Sequence, residues 1–222
     1  MPGKFVYQNN MRKLILKMSV SVDGFVGGPN GEIDWLLKTM DDEAAQWVLD
    51  TIWLAGLHIM GSRTFHDMIS YWPYSDEVFA EPMNEIPKAV FTRKGIDLST
   101  DDTTTALKNA SVLKKGRSLA TVEADLSSWK NAEVITGDMK AGVERLKQQG
   151  SKPILAHGGA GFAQSLVRTG LVDEYRLLVH PFALGKGLPI FSRLDQPLHL
   201  ELTNAIPFRG GVIALTYHPL EK

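Results

Sequence analysis

His157-Gly158-Gly159-Ala160-Gly161-Phe162, reached directly from the apolar run Pro153-Ile154-Leu155-Ala156, reads as a strand that ends in a glycine turn and opens a helix. The same order recurs at Met60-Gly61-Ser62-Arg63-Thr64, after Leu57 to Ile59. Without a Cβ atom, glycine lets backbone N–H groups approach a ligand closely, and the helix that follows turns its partially positive end toward a phosphate. Two such turns point to a dinucleotide. Neither has the spacing of Gly-x-Gly-x-x-Gly or of the P-loop, so the common Rossmann and NTPase arrangements lack their motifs here.

Outward from these turns, strands and helices alternate. Leu14 to Val22 is apolar and β-rich and ends at Asp23-Gly24; Asp41-Asp42-Glu43 opens a helix with Ala44, Trp47, Val48, Trp53 and Leu54 at roughly helical spacing. A helix over Thr64 to Ile69, a strand over Lys88 to Thr92, a strand over Ala132 to Thr136 and a helix over Met139 to Gln149 follow, then the Ile154 to His157 strand and a helix from Gly161 to Thr169. This alternation predicts an α/β fold, a mostly parallel sheet with helices on both faces. Glu174 to Phe182, Leu198 to Thr203 and Val212 to Tyr217 then read as strands without intervening helices, which predicts antiparallel C-terminal additions. Residues 1–11 read as a tail and 12–222 as one domain, with an irregular excursion over 95–131.

Composition narrows the function. With 222 residues, 44% of them hydrophobic, the chain is long enough for one sizeable core. Twenty-four basic and 25 acidic side chains leave a formal charge of −1, which gives no electrostatic reason to expect nucleic acid or an anionic membrane as partner. The absence of cysteine excludes disulfides, thiolate zinc sites and a cysteine nucleophile. No run approaches the ~18 apolar residues of a membrane span, and the start lacks the order of a signal peptide, so a cytoplasmic protein is expected. The six histidines show no paired metal-ligand spacing, and no Gly-x-Ser-x-Gly elbow marks a hydrolase.

Ser19-Val20-Ser21-Val22-Asp23-Gly24-Phe25, Ile59-Met60-Gly61-Ser62-Arg63-Thr64-Phe65, His157-Gly158-Gly159-Ala160 and Leu171-Val172-Asp173-Glu174-Tyr175, leading to Gly185-Lys186-Gly187-Leu188-Pro189-Ile190-Phe191, together resemble the dihydrofolate reductase-like fold. Within it, they resemble more closely the reductase domain of bacterial riboflavin biosynthesis, the RibD C-terminal domain. The resemblance runs from Lys13 to about Tyr217 and implies an NADPH-dependent reductase, a homodimer, acting on a small heterocyclic (pterin- or pyrimidine-like) or carbonyl substrate. It implies coenzyme phosphates on the two glycine turns and substrate beside the end of the first strand.

On this reading Gly158, Gly159, Ala160 and Gly161 offer amides to the pyrophosphate, with Phe162 next in the helix; the alternative is a purely structural turn. Gly61, Ser62, Arg63 and Thr64 open one helix and Thr92-Arg93-Lys94 follow a strand, so both groups converge on the 2′-phosphate that distinguishes NADPH from NADH; the alternative is solvated strand-end charge. Thr136 touches the coenzyme by resemblance, or else caps the next helix. Val20, Asp23, Gly24, Phe25 and Val26 border nicotinamide and substrate, with Gly27-Gly28-Pro29-Asn30-Gly31 as a mobile lid. Asp23 is the candidate polar substrate contact or proton relay, against a plain Asp-Gly turn. Trp35 and Trp72 read as pocket walls, Trp47 and Trp53 as core.

Two departures matter. Dihydrofolate reductases carry a pterin-binding acid on the helix preceding the Leu57 to Met60 strand; here Ala44 and Ala45 stand nearest, with Asp41, Asp42 and Glu43 a turn earlier, so folate specificity is not expected. The zinc deaminase often fused to the riboflavin-type domain needs His and Cys ligands, and there is neither cysteine nor length for it. The competing readings are a non-catalytic nucleotide-binding or regulatory protein and a true dihydrofolate reductase.

Overall fold

The computed structural model describes residues 11–98, 126–192 and 194–220. Eight strands form one sheet in the order β4-β3-β2-β5-β1-β6-β8-β7. They are β1 (Leu14–Ser21), β2 (Leu57–Gly61), β3 (Lys88–Phe91), β4 (Glu133–Ile135), β5 (Ile154–Ala156), β6 (Glu174–His180), β7 (Leu200–Pro207) and β8 (Ile213–Pro219). β1 to β6 run parallel to one another, and β8 runs antiparallel to both β6 and β7. The fold is α/β and dihydrofolate reductase-like, with the reversal confined to its C-terminal edge.

Strand parity assigns the two sheet faces. Leu14, Leu16, Met18 and Val20 of β1 share a core with Val143 and Leu146 of α5 (Met139–Lys147) and with Phe162, Ala163 and Leu166 of α6 (Ala160–Arg168). Ile15, Met60, Leu155 and Leu178 face the other way. There they meet Ala44, Val48 and Ile52 of α1 (Asp42–Trp53), Phe65 of α2 (Ser62–Ile69), Met83 of α3 (Ala80–Glu85) and Trp129 of α4 (Ser127–Lys130). Trp53 does not join this core: it is 40% exposed, because Ala44, Val48 and Ile52 already define the buried stripe of α1 and Trp53 points about 100° away from Ile52. Of the expected excursion over 95–131, residues 99–125 lie outside the described residues; α4 falls inside it, with Trp129 fully buried.

One helix docks unusually close. A Cβ atom on Gly142 of α5 would fall 2.8 Å from Ile135 Cγ2 and 3.0 Å from Phe91 Cε1. Gly142→Ala is therefore expected to destabilise by about 1–3 kcal/mol through overpacking, against a helix-propensity gain of up to ~1 kcal/mol. Denaturant unfolding checks this, and unchanged or raised stability would refute the close docking.

Candidate functional site

Every parallel strand delivers its carboxyl end to the same edge, the usual ligand-binding edge of a parallel sheet. Because β2 and β5 are neighbours, the two glycine turns lie side by side. A Cβ atom on Gly61 would sit 3.1 Å from Phe162 Cβ, and one on Gly159 would sit 2.7 Å from Thr64 Oγ1. Gly159 also has φ +78°, left-handed backbone that other residues adopt at a cost of roughly 1–2 kcal/mol. Gly158 packs on Met18 of β1, whose Cε would lie 3.0 Å from an added Cβ. These glycines bring β2, β5 and β1 together at one point.

Both helices that start there are uncapped. α2 has Gly61 and α6 has Gly159 at the N-cap, and neither receives a side-chain cap, so the first amides of each helix carry partial positive charge with no side-chain acceptor. By contrast α1 and α5 are capped by Asp41 and Asp138, whose carboxylates accept from Ala44 N and from Lys140 N and Ala141 N. Beside α2, Ser62, His66, Thr92, Arg93 and Lys94 line an open cleft of about 620 Å³. Arg93 and Lys94 are exposed there, and Arg63 is exposed on α2. Thr92 Oγ1 donates to Gly95 O at 2.9 Å and its amide donates to Ile135 O, which fixes the turn that carries Arg93. Thr136 is exposed beyond β4, and the helix cap is Asp138.

The end of β1 corrects several expectations. Asp23 Oδ1 and Oδ2 accept from the amides of Leu184 and Gly185 and from Ser21 Oγ, so its carboxylate clamps the 184–185 turn to β1. These bonds, the one from Ser21 foremost, hold its pKa below 3.8, which makes it unsuited to donate a proton near neutrality. The glycine segment expected as a lid is anchored at its start: Leu188 N donates to Gly27 O and Val26 N to Leu188 O, both at 2.9 Å, and Phe25 bridges Pro189. Val20 and Gly24 line a separate apolar cleft of about 440 Å³ with Leu177, Ile190 and Phe191, on the α5/α6 face. Trp35 is 2% exposed and packs edge-on against His180, so it backs a wall without presenting a free ring. Trp72 packs on Tyr71 and Phe79, and its carbonyl accepts from Asn84 Nδ2, which places it in the α3 packing.

A pH effect follows from Asp23. Its folded pKa lies below its unfolded value of about 3.8, so the clamp contributes stability above pH 4 that is lost as pH falls through the folded pKa. Asp23→Ala is expected to remove that acid-side dependence and to speed hydrogen exchange at Leu184 and Gly185; unchanged exchange at those two amides would contradict the clamp.

On the opposite sheet face, the sequence reading passed over Lys17, Ser19, His58, His157 and His180. Lys17 pairs with Arg176 across β1 and β6, and Leu16 pairs with Ala156, which sets Lys17 level with His157. Burial lowers the Lys17 ammonium to about 8. It lowers His157 to about 3 and His180 to about 4, with Lys17 repelling the charged form of both. His58 and His157 contact edge to face with centroids 4.5 Å apart. Both His58 ring nitrogens and Nε2 of His157 and His180 are buried without a hydrogen-bond partner.

Residues 12–214 match the RibD C-terminal domain. The chain belongs to the RibD C-terminal domain family. An uncharacterised Bacillus subtilis (strain 168) protein, YyaP, is 29% identical over 214 residues, 95% of this chain and 97% of that one. A candidate riboflavin biosynthesis protein from Shewanella sp. PV-4 shares the fold at 18% identity and TM-score 0.68, covering 94% and 99% of the two chains. The dihydrofolate reductase of Enterococcus faecalis, solved with NADP(H), shares it at 12% identity and TM-score 0.51, over 94% and 97%. Membership in the RibD C-terminal domain family, with reductases among the solved structures that share its fold, supports an oxidoreductase.

Proposed function

We propose that this member of the RibD C-terminal domain family is an NADPH-dependent reductase acting on a small heterocyclic or carbonyl substrate. The observation that carries this reading is the pair of uncapped, glycine-led helix starts lying side by side next to a cationic cleft. The amides of Ala160, Gly161 and Phe162 fit a pyrophosphate, and Ser62, Arg63, Thr64, Thr92 and Arg93 fit the phosphorylated ribose end. When bound, NADPH supplies the hydride. The protein's own contribution is positioning and exclusion of water: the glycine turns bring backbone to the coenzyme without intervening side chains.

Fluorescence titration with NADPH and NADH tests the coenzyme assignment, with preference for NADPH expected; no binding of either would end it. Steady NADPH consumption with a carbonyl or heterocyclic acceptor separates the enzyme from a non-catalytic binding protein.

A true dihydrofolate reductase is disfavoured by the acids. Asp41 is committed as the α1 cap and as acceptor from Gly210 N at 2.6 Å, and Ala44 is fully buried. The buried residues of α1 are Ala44, Val48, Thr51 and Ile52, and no carboxylate is among them. Methotrexate, whose protonated diaminopterin ring needs such an acid, is therefore expected not to inhibit or stabilise the protein; a clear rise in melting temperature with that drug would contradict this.

A further inference from the structure

At its C-terminal side the sheet leaves an apolar face in the open. Strand pairing sets Val179 of β6 against Ile213 of β8, and Ile213 against Pro207 of β7; Leu215 of β8 meets Ala205 of β7, and Tyr217 of β8 meets Leu202 of β7. Side chains alternate along a strand, so all of these point to the side on which α5 and α6 lie. Those helices place Val143, Leu146, Phe162 and Leu166 in the core shared with β1. The outer strands are not covered: Leu202 is 51% exposed and Ile213 38%, and Ala205 and Pro207 are exposed as well.

The two sides of these strands differ in kind. The opposite side carries Glu174 and Arg176 on β6, Thr216 and His218 on β8, and Glu201 and Asn204 on β7, as a sheet face turned to water does. The side shared with α5 and α6 carries no charged residue on any of the three strands. So clean a division marks a face meant to be covered. It runs through Leu177 and Val179 into the apolar cleft of about 440 Å³, and Val22, which lines that cleft, is 60% exposed. β7 is also the outermost strand, eight residues long, and its one charge, Glu201, stands on the polar side. Such an edge is poorly defended against association.

We propose that two copies of this chain pack face to face through the apolar side of β6, β8 and β7, about a two-fold axis near the middle of β8. Charge selects a second copy: a face without ions meets itself without burying an unpaired one, whatever the rotation. Geometry agrees, since a two-fold contact joins a patch to itself and two twisted sheet faces stack at about 30° and ~10 Å, as in a sandwich. Four strands, β1 to β7 across the cleft, at about 4.8 Å spacing and seven residues at about 3.3 Å rise make a face on the order of 400 Å². A standard interface buries roughly 800 Å² per partner, and the remainder falls on the rim, where Val22 and Phe182 are 60% and 36% exposed. The pairing rests on these exposed residues and not on the homodimer implied by resemblance, which names no surface. It stands whether or not the protein binds NADPH.

Sedimentation equilibrium of the full chain, without coenzyme, reads the association directly. At about 10 μM the chain is expected at twice its mass of 24.5 kDa, as an interface of standard size allows. Leu202→Glu and Ile213→Glu each bring a carboxylate into an apolar contact twice over, once per copy, and each is expected to weaken the association at least about tenfold. Both positions are exposed in the single chain, so melting curves should show folded monomers. Should Ile213→Glu fail to fold, Leu202→Glu decides, being the more exposed. Glu201→Lys, one residue away on the polar side, is expected to leave the association within about twofold. Sedimentation as a monomer at every concentration up to about 100 μM, a dimer that survives either glutamate substitution in a folded chain, or a dimer lost with Glu201→Lys would overturn the proposal.

Discussion

Gly159→Ala is expected to weaken NADPH binding by at least about tenfold, the equivalent of ~1.4 kcal/mol, while the protein remains folded. The added methyl group would stand 2.7 Å from Thr64 Oγ1 on a residue held at φ +78°. Two responses are open to the chain. It can keep the turn and accept roughly 1–2 kcal/mol of backbone strain, or relax the turn and swing the amides of Ala160, Gly161 and Phe162 away from the ligand edge. The first lowers stability, the second affinity, and both raise the dissociation constant if α2 shifts with Thr64. A fluorescence titration paired with denaturant unfolding reads the two contributions separately. Full retention of NADPH affinity in a folded variant would show that the turn has no part in coenzyme binding.

Removing the cationic side chains should change selectivity. Arg93 lines the cleft beside Ser62, and Arg63 stands exposed on the first turn of α2. If they pair with the 2′-phosphate, Arg93→Ala with Arg63→Ala should remove about 1–3 kcal/mol from NADPH binding, roughly five- to 150-fold, and leave NADH within about twofold. Because both side chains are solvated, the loss should shrink as salt rises. Equal losses for the two coenzymes would refute the assignment.

What could be read from the chain beforehand follows physical lines. Glycine turns after apolar runs are local, so the strand-turn-helix units at Gly61 and Gly158 to Gly161 were visible in sequence, and alternation fixed the parallel sheet. Asp23 was misread because its partners, Leu184 and Gly185, lie some 160 residues away, and an Asp-Gly pair looks the same whether or not distant amides reach it. The anchoring of Gly27 at the start of the glycine-rich loop was hidden for the same reason, its partner being Leu188. Trp35 and Trp72 sit in turn-rich sequence, but a turn can be packed: Trp35 is buried against His180, and Trp72, half-buried, packs on Phe79. Lys17 left a faint signal: from Lys17 to Ser21 polar residues alternate with Met18 and Val20, which marks one wet face on an otherwise apolar strand.

The central place of β1 has a consequence for how the molecule is made. Its lateral partners are β5 and β6, so Leu14 to Ser21 stay unpaired until residues 154 and beyond have been synthesised. Closure over such long loops is slow, and an apolar segment left waiting is prone to association with other nascent chains. Folding of this protein is then governed by its last third, and a translational pause or truncation ahead of Glu174 would release a chain whose middle strand has nowhere to dock on one side.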